Sequence, residues 1–274
     1  MEPGPEDQAR PEGGAAVTHR HIDVARAGRV TIVTIARPGA HNALNAAAHE
    51  ELAAAFDDFA ADAGQWVAII TGAGEKAFCA GHDLKQQASG GGMATPASGF
   101  AGLTARFDMA KPVIAAVNGV AMGGGFEIAL ACDLIVAARS ASFALPEPRV
   151  GLAALAGGLQ RLPRVVGLKH AMGMMLTGRR VSAEEGARLG FVNDVVDGDV
   201  LAAARRWADD IAACGPLAVR ATKQAVLRGL DTPIERFLTE QWSYPAIAAM
   251  MASHDAVEGP AAFAEKRAAV WTGR

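Results

Sequence analysis

The stretch from Lys111 to Ala138, KPVIAAVNGVAMGGGFEIALACDLIVAA, limits the possible folds of this chain more than any other segment. An apolar, β-branched run (PVIAAVN) meets a glycine turn at Gly123, Gly124 and Gly125, continues as an apolar helix, and returns to a second strand-like run, LIVAA. Strand, turn, helix, strand in that order requires a crossover, and strands joined by crossovers lie parallel in a sheet covered by helices. A short strand is expected next at SFAL, and WVAIITG (66 to 72) reads as another strand upstream. A helix over 46 to 63, with Leu52, Phe56 and Phe59 on one face, precedes it, and THRHIDVAR and RVTIVTIAR read as a hairpin about Ala27 and Gly28. Beyond Gly157 the chain is mostly helical; Ser182 followed by Glu185 forms a capping box, and Gly190 stops that helix. The fold class is therefore α/β with a helical C-terminal region.

Two glutamates carry the chemical signal, Glu127 just after the triple glycine and Glu147 twenty positions on, in SFALPEPRVG. Each sits among apolar residues, where a carboxylate is costly unless it is hydrogen-bonded, protonated or put to use. A glycine turn opening a helix exposes backbone N–H groups and is a place to hold negative charge. A second donor loop is expected in AGEKAFCAGHDLK, where Gly81 lets the His82 N–H point into a cleft. Two such donors aimed at one oxygen make an oxyanion hole, and losing one donor typically costs about 3 to 4 kcal/mol of barrier. The plainer alternatives are a first-turn glutamate stabilised by the helix dipole for Glu127 and a surface ion-pair partner for Glu147.

Composition narrows the partners. A net charge of −3 offers no basic field for nucleic acid or an acidic membrane, so a small molecule is favoured. The most apolar stretch is broken by Asn118, Glu127 and Asp133, which argues against a membrane span. Cys79, Cys132 and Cys214 cannot all pair and show no CxxC spacing, so neither a disulfide framework nor a metal site is expected, and the location reads as cytoplasmic. Residues 1–16 read as a disordered, Pro- and Gly-rich tail, and QASGGGMATPASG (87 to 99) as a mobile loop. Neither glycine cluster fits a nucleotide-binding fingerprint, and no GxSxG elbow is present.

Taken together and in order, FCAGHDLK, KPVIAAVNGVAMGGGFEIALACD, FALPEPRVGL, GGLQRLPR, LTGRRVSAEEGARLGFVN and EGPAAFAEKR resemble the crotonase (enoyl-CoA hydratase/isomerase) superfamily from about Arg37 to the last residues. The resemblance implies a spiral of ββα units in residues 17–200 with the active site, and a helical oligomerisation region in 201–274. It implies that His82 and Gly124 supply the oxyanion hole through their backbone N–H groups, and that Glu127 and Glu147 are the two acid/base residues of a hydratase. It places Ala80, Asp83, Leu84 and Lys85 near the bound thioester, and Lys266 and Arg267 on the CoA phosphates across a subunit boundary. The implied partner is an acyl-CoA thioester, with no further cofactor, and the implied assembly a homotrimer or a dimer of trimers. Gly39 stands where many relatives carry a lysine, and the run LAALAGG follows Gly151 where hydratases often have Pro and Gly.

The implied reaction is hydration of a trans-2-enoyl-CoA. GFAGLT, MLTGRR and AVEGPAAFAEKRAAVWTGR are also similar to carnitinyl-CoA dehydratase, which makes hydration of a quaternary-ammonium acyl group the second reading. A trimethylammonium wants an aromatic or acidic cage, and one tyrosine and four tryptophans supply it poorly. An isomerase using one acid ranks third, and a scaffold or RNA-binding relative last.

Overall fold

The computed structural model describes residues 19–84 and 94–274. The expected tail (1–16), Lys85 and the first part of the small-residue loop (87–93) lie outside the described residues. The expected hairpin is present, with β1 (Ile22–Ala27) antiparallel to β2 (Val30–Ile35). Asn45 caps α1 (Ala46–Ala61) by accepting from the Ala48 N–H at 2.9 Å, and Asp62, in extended conformation, ends it two residues short of the expected limit.

Three strand pairs follow: β3 (Val67–Gly72) with β4 (Ala77–Cys79), β5 (Val113–Val117) with β6 (Val120–Met122), and β7 (Leu134–Ala138) with β8 (Ser142–Ala144). The first member of each pair joins a six-stranded sheet, β1-β2-β3-β5-β7-β10, parallel from β2 onward and closed by β10 (Asp194–Val196). The second members lie parallel in a four-stranded sheet, β4-β6-β8-β9, whose last strand (Val181–Ser182) is antiparallel to β8. Helix α2 (Gly124–Ala131) follows β6, and α3 (Gly158–Val166) lies beyond β8, so the chain winds as a spiral of strand, strand, helix.

The corner between paired strands is tight and leaves carbonyls without ladder partners. Two asparagine amides supply the donors. Asn118 Nδ2 donates to Gly72 O at 2.9 Å and Gly74 O at 2.6 Å, and Asn42, fully buried, donates to Ala77 O at 2.7 Å. Buried backbone acceptors are rarely left unpaired, so both side chains are structural necessities.

The main core lies between the two sheets and α1, around Phe56, Phe59 and Phe78, with Phe126, Phe143 and Phe191 in mutual ring contact at 5.1 to 5.2 Å. On the far side, Val200, Ala203, Ala204 and Ala208 of α6 (Val200–Ala212) pack on Ile69, Ile114 and Val136. The sheet is thereby covered on both faces, and every residue of β3 and β5 is buried, which is why those strands read as unbroken apolar runs. Between these elements run α4 (Leu168–Thr177) and α5 (Ala183–Leu189). Only half of the expected capping box forms: Ser182 Oγ accepts from the Glu185 N–H at 3.1 Å, but the Glu185 carboxylate pairs with Arg179 at 2.7 Å instead of returning to the cap. The C-terminal helices are α7 (Pro216–Gly229), α8 (Ile234–Glu240), α9 (Pro245–Met251) and α10 (Asp255–Ala264). Among the described residues no helix is long and apolar enough to cross a membrane.

Candidate active site

Three segments leave the carboxyl ends of β4, β6 and β8 and meet at one cleft: Ala80–His82, Gly123–Glu127 and Pro146–Glu147. Gly123 takes φ 54°, ψ −127°; its N–H donates to Ala144 O at 2.9 Å, and its carbonyl accepts from Phe126 and Glu127. Gly124 is the first residue of α2, so no carbonyl one turn earlier is available to its N–H. Side chains cannot be accommodated here. A Cβ on Gly124 would overlap the Phe100 ring, and one on Gly125 would overlap the Cys79 carbonyl.

The His82 loop runs directly beside this turn. Gly81 has φ +92°, and a Cβ on it would stand 2.9 Å from Met122 O and 3.1 Å from Gly124 N. Leu44 holds the loop from behind, donating to Gly81 O at 2.8 Å and accepting from the Asp83 N–H at 2.9 Å. Those two bonds flank the His82 N–H without using it. The pair of amides, His82 and Gly124, can thus serve an anion in the cleft. The His82 imidazole itself is held below its ordinary pKa by burial.

Glu127 sits one turn into α2, 3% exposed, and its Oε1 accepts from the Gly158 N–H at 2.9 Å. Burial raises its pKa to about 7; the Gly158 N–H opposes that rise, the Glu147 charge adds to it, and the Ala156 N–H and the Arg161 guanidinium oppose it further. Glu147 opens a short 3-10 turn (Glu147–Val150), with Oε1 3.0 Å from the point a Gly123 Cβ would occupy. Its Oε2 is buried with no hydrogen-bond partner among the described residues, and burial raises its pKa. Burial therefore favours the protonated form of both carboxyls, and Glu127 is poised to exchange a proton near neutrality.

This has a consequence for stability. Glu127 titrates near 4.5 in the unfolded chain and near 7 in the folded one, so the folded state binds more protons between those values. Its contribution to stability is present below pH 4.5 and is lost as pH rises through 7. Glu127→Gln removes that loss, and the variant is expected to be more stable than the parent at pH 8 by about 1–3 kcal/mol, with no difference at pH 4. Thermal unfolding at both pH values checks this; a gap that does not widen with pH overturns it.

The cleft opens into a cavity of about 1840 Å³ walled mainly by apolar side chains, including Leu103, Met109, Leu130 and Val226. The sequence profile of the enoyl-CoA hydratase/isomerase family matches residues 25–274. The chain belongs to that family. It is 45% identical over 261 residues to a carnitinyl-CoA dehydratase of Salmonella typhi, covering 92% of this chain and 98% of the relative. Among solved structures, an enoyl-CoA hydratase of Mycobacterium tuberculosis H37Rv superposes with a TM-score of 0.87 at 44% identity, covering 93% of this chain and 99% of the other. A carnitinyl-CoA hydratase of Mycobacterium avium gives 0.74 at 43% identity, covering 94% and 100%.

Within this enoyl-CoA hydratase/isomerase fold, the structure brings Ala80, His82, Leu84, Gly124, Glu127 and Glu147 to the cavity wall. Asp83 is turned aside: its carboxylate pairs with Arg37 at 3.1 Å, both side chains being less than a fifth exposed, so it shapes the loop from behind. Lys266 and Arg267 follow α10 and do not line the cavity of their own chain; Arg267 pairs with Glu258 and Glu265. Cys79 is fully buried, its thiol pushed up to about 12 by burial, which makes it a packing residue and not a nucleophile. Four residues escaped the sequence reading: Phe100 against Gly124, Gly158 as the donor to Glu127, Arg161 with Nη2 on Thr104 O at 2.8 Å, and buried His49. The Gly157–Gly158 pair before a helix was the available signal for the second; nothing local marks the others.

Proposed function

We propose that this family member is an enoyl-CoA hydratase, adding water reversibly to a trans-2-enoyl-CoA to give a 3-hydroxyacyl-CoA. The observation that carries this reading is the burial of Glu127 and of the Glu147 Oε2 beside a glycine turn whose first helical N–H has no intrahelical partner. In the proposed complex the thioester oxygen lies between the N–H groups of His82 and Gly124, which draws electron density from the β-carbon and stabilises the enolate-like transition state. One glutamate takes a proton from water as its oxygen bonds to the β-carbon; the other delivers a proton to the α-carbon as the double bond is lost. The two carboxyls titrate as a coupled pair. The reaction needs no metal and no redox cofactor.

The same proposal assigns a contact with the CoA moiety to Lys85 and, from another subunit, CoA phosphate contacts to Lys266 and Arg267. Self-association as a trimer or a dimer of trimers is supported by apolar side chains left exposed on the C-terminal helices, such as Ile234, Trp242 and Phe263. In the proposed division into a core (17–200) and an association region (201–274), α6 falls in the second region although it packs on the sheet of the first. A cytoplasmic location is supported by three unpaired cysteines.

The carnitinyl-CoA dehydratase relatives favour crotonobetainyl-CoA as the second substrate reading. Among the described residues Phe100 and Phe107 are the aromatic rings lining the cavity apart from the His82 imidazole, and Arg161 places a positive charge where it acts on Glu127. An uncharged acyl group suits that wall better than a trimethylammonium. Loss of enoyl absorbance on crotonyl-CoA, a longer 2-enoyl-CoA and crotonobetainyl-CoA tests both readings. Turnover of the first two above the third supports the uncharged acyl group; the reverse order selects the second reading, and no turnover on any rejects hydration.

A further inference from the structure

We infer that His49 is a positioning residue for the oxyanion hole, holding the surroundings of both donor amides from a place behind the cleft. The inference rests on the hydratase reading above.

His49 lies on the first turn of α1 and is 1% exposed. Its Nδ1 accepts from the Ala101 N–H at 3.0 Å. That bond fixes the neutral tautomer, with the ring proton on Nε2. Nε2 is buried and has no hydrogen-bond partner among the described residues. An apolar side chain would avoid burying that donor but would leave the buried Ala101 N–H without its acceptor, so the position calls for a side chain that can accept a hydrogen bond.

What the imidazole does is visible in its contacts. Ala101 has φ +57° and is fully buried within a 3-10 turn, Phe100–Gly102, which is pressed so closely on α1 that a Cβ on Gly102 would overlap the Ala53 backbone. The His49 acceptor satisfies the one amide in that turn that the left-handed residue presents to the interior. The next ring along is Phe100, edge-on to His49 with centroids 4.5 Å apart, and Phe100 is the ring that occupies the space where a Gly124 side chain would be. On its other side His49 stacks on His82, with centroids 6.2 Å apart and an interplanar angle of 19°. One imidazole therefore backs the Gly124 amide through Phe100 and the His82 amide through its own ring. A displacement of an ångström in such a frame is enough to cost a reaction about 10²-fold.

The test compares the parent with His49→Asn, His49→Gln and His49→Leu, each first shown by circular dichroism and thermal unfolding to be folded. Asn places an acceptor where Nδ1 stands; Gln moves it one bond outward; Leu removes it. Two readouts are used: kcat and KM on crotonyl-CoA, and relative affinity for acetoacetyl-CoA, whose enolate carries charge on the thioester oxygen, over butyryl-CoA, which carries none. His49→Leu and His49→Gln are expected to lose about 10- to 100-fold in kcat with little change in KM, and to lose the preference for the enolate by a similar factor. His49→Asn is expected to recover most of both. Variants that keep the enolate preference, or that weaken both ligands equally with no rescue by Asn, overturn the inference. If His49→Leu does not fold, the Asn and Gln pair still decides. Absence of turnover in the parent rejects the hydratase reading, while the enolate comparison continues to report on His49.

Discussion

Replacing either Glu127 or Glu147 by glutamine is expected to lower kcat on a 2-enoyl-CoA by about 10²- to 10⁴-fold, with the affinity for a saturated acyl-CoA changed little. The amide keeps the shape of the carboxyl and, at Glu127, keeps an oxygen for the Gly158 N–H. What it loses is the ability to take and return a proton. In the proposed reaction the acids act on one water, so their contributions are not independent. The double variant is expected to be no worse than the poorer single one by more than a few-fold, since removing either member leaves the other without its share of the reaction. Multiplicative losses in the double variant, measured by single-turnover kinetics, would show that the two acids act on separate steps. Loss of acyl-CoA affinity in step with kcat would instead make them binding residues.

Gly81→Ala is expected to cost as much by a different route. The backbone at Gly81 has φ +92°, which an alanine adopts only with strain of about 1–3 kcal/mol. Its methyl group would also stand 2.9 Å from Met122 O and 3.1 Å from Gly124 N, between the loop that carries His82 and the turn that carries Gly124. Neither neighbour is a flexible side chain, so the loops must part, and the two amides can no longer converge on one oxygen. A fall in kcat of about 10²- to 10³-fold is expected, together with a lower melting temperature. The same substitution at Gly39, where a Cβ meets nothing within 4 Å, serves as the control for mutation of a glycine as such. Full activity in Gly81→Ala would show that the amides need not converge.

The parts of this molecule that were legible in its sequence are those written in local pattern. The runs around Val67 and Val113 are apolar without interruption because both faces of their sheet are covered, and a pattern of that kind is read directly. The glycines at 123 to 125 were equally plain, although the reason for each became clear only with Phe100 and Cys79 in place. Partners distant along the chain were not legible. Glu127 is bound by an amide 31 residues on, and Asn118 staples carbonyls 44 and 46 residues back. No periodicity encodes those distances, which are set by the pitch of the winding. Glu185 illustrates a different limit: the cap motif was correctly spaced, but Arg179 competes for the carboxylate with a bidentate ion pair.

The carboxyl ends of β4, β6 and β8 each deliver one segment of the candidate site, from three neighbouring parallel strands of one sheet. The winding therefore works as a rack with interchangeable tools. The first turn presents an amide, the second an amide and an acid, the third an acid, and the sheet spacing, with the Leu44 and Gly123 backbone bonds, keeps them in register. A change confined to the Pro146–Glu147 segment alters the proton inventory without touching the anion-binding frame, because that frame hangs from the two preceding strands. Divergence toward another reaction of an acyl thioester is thus open to this architecture one strand end at a time, with the rest of the site held fixed.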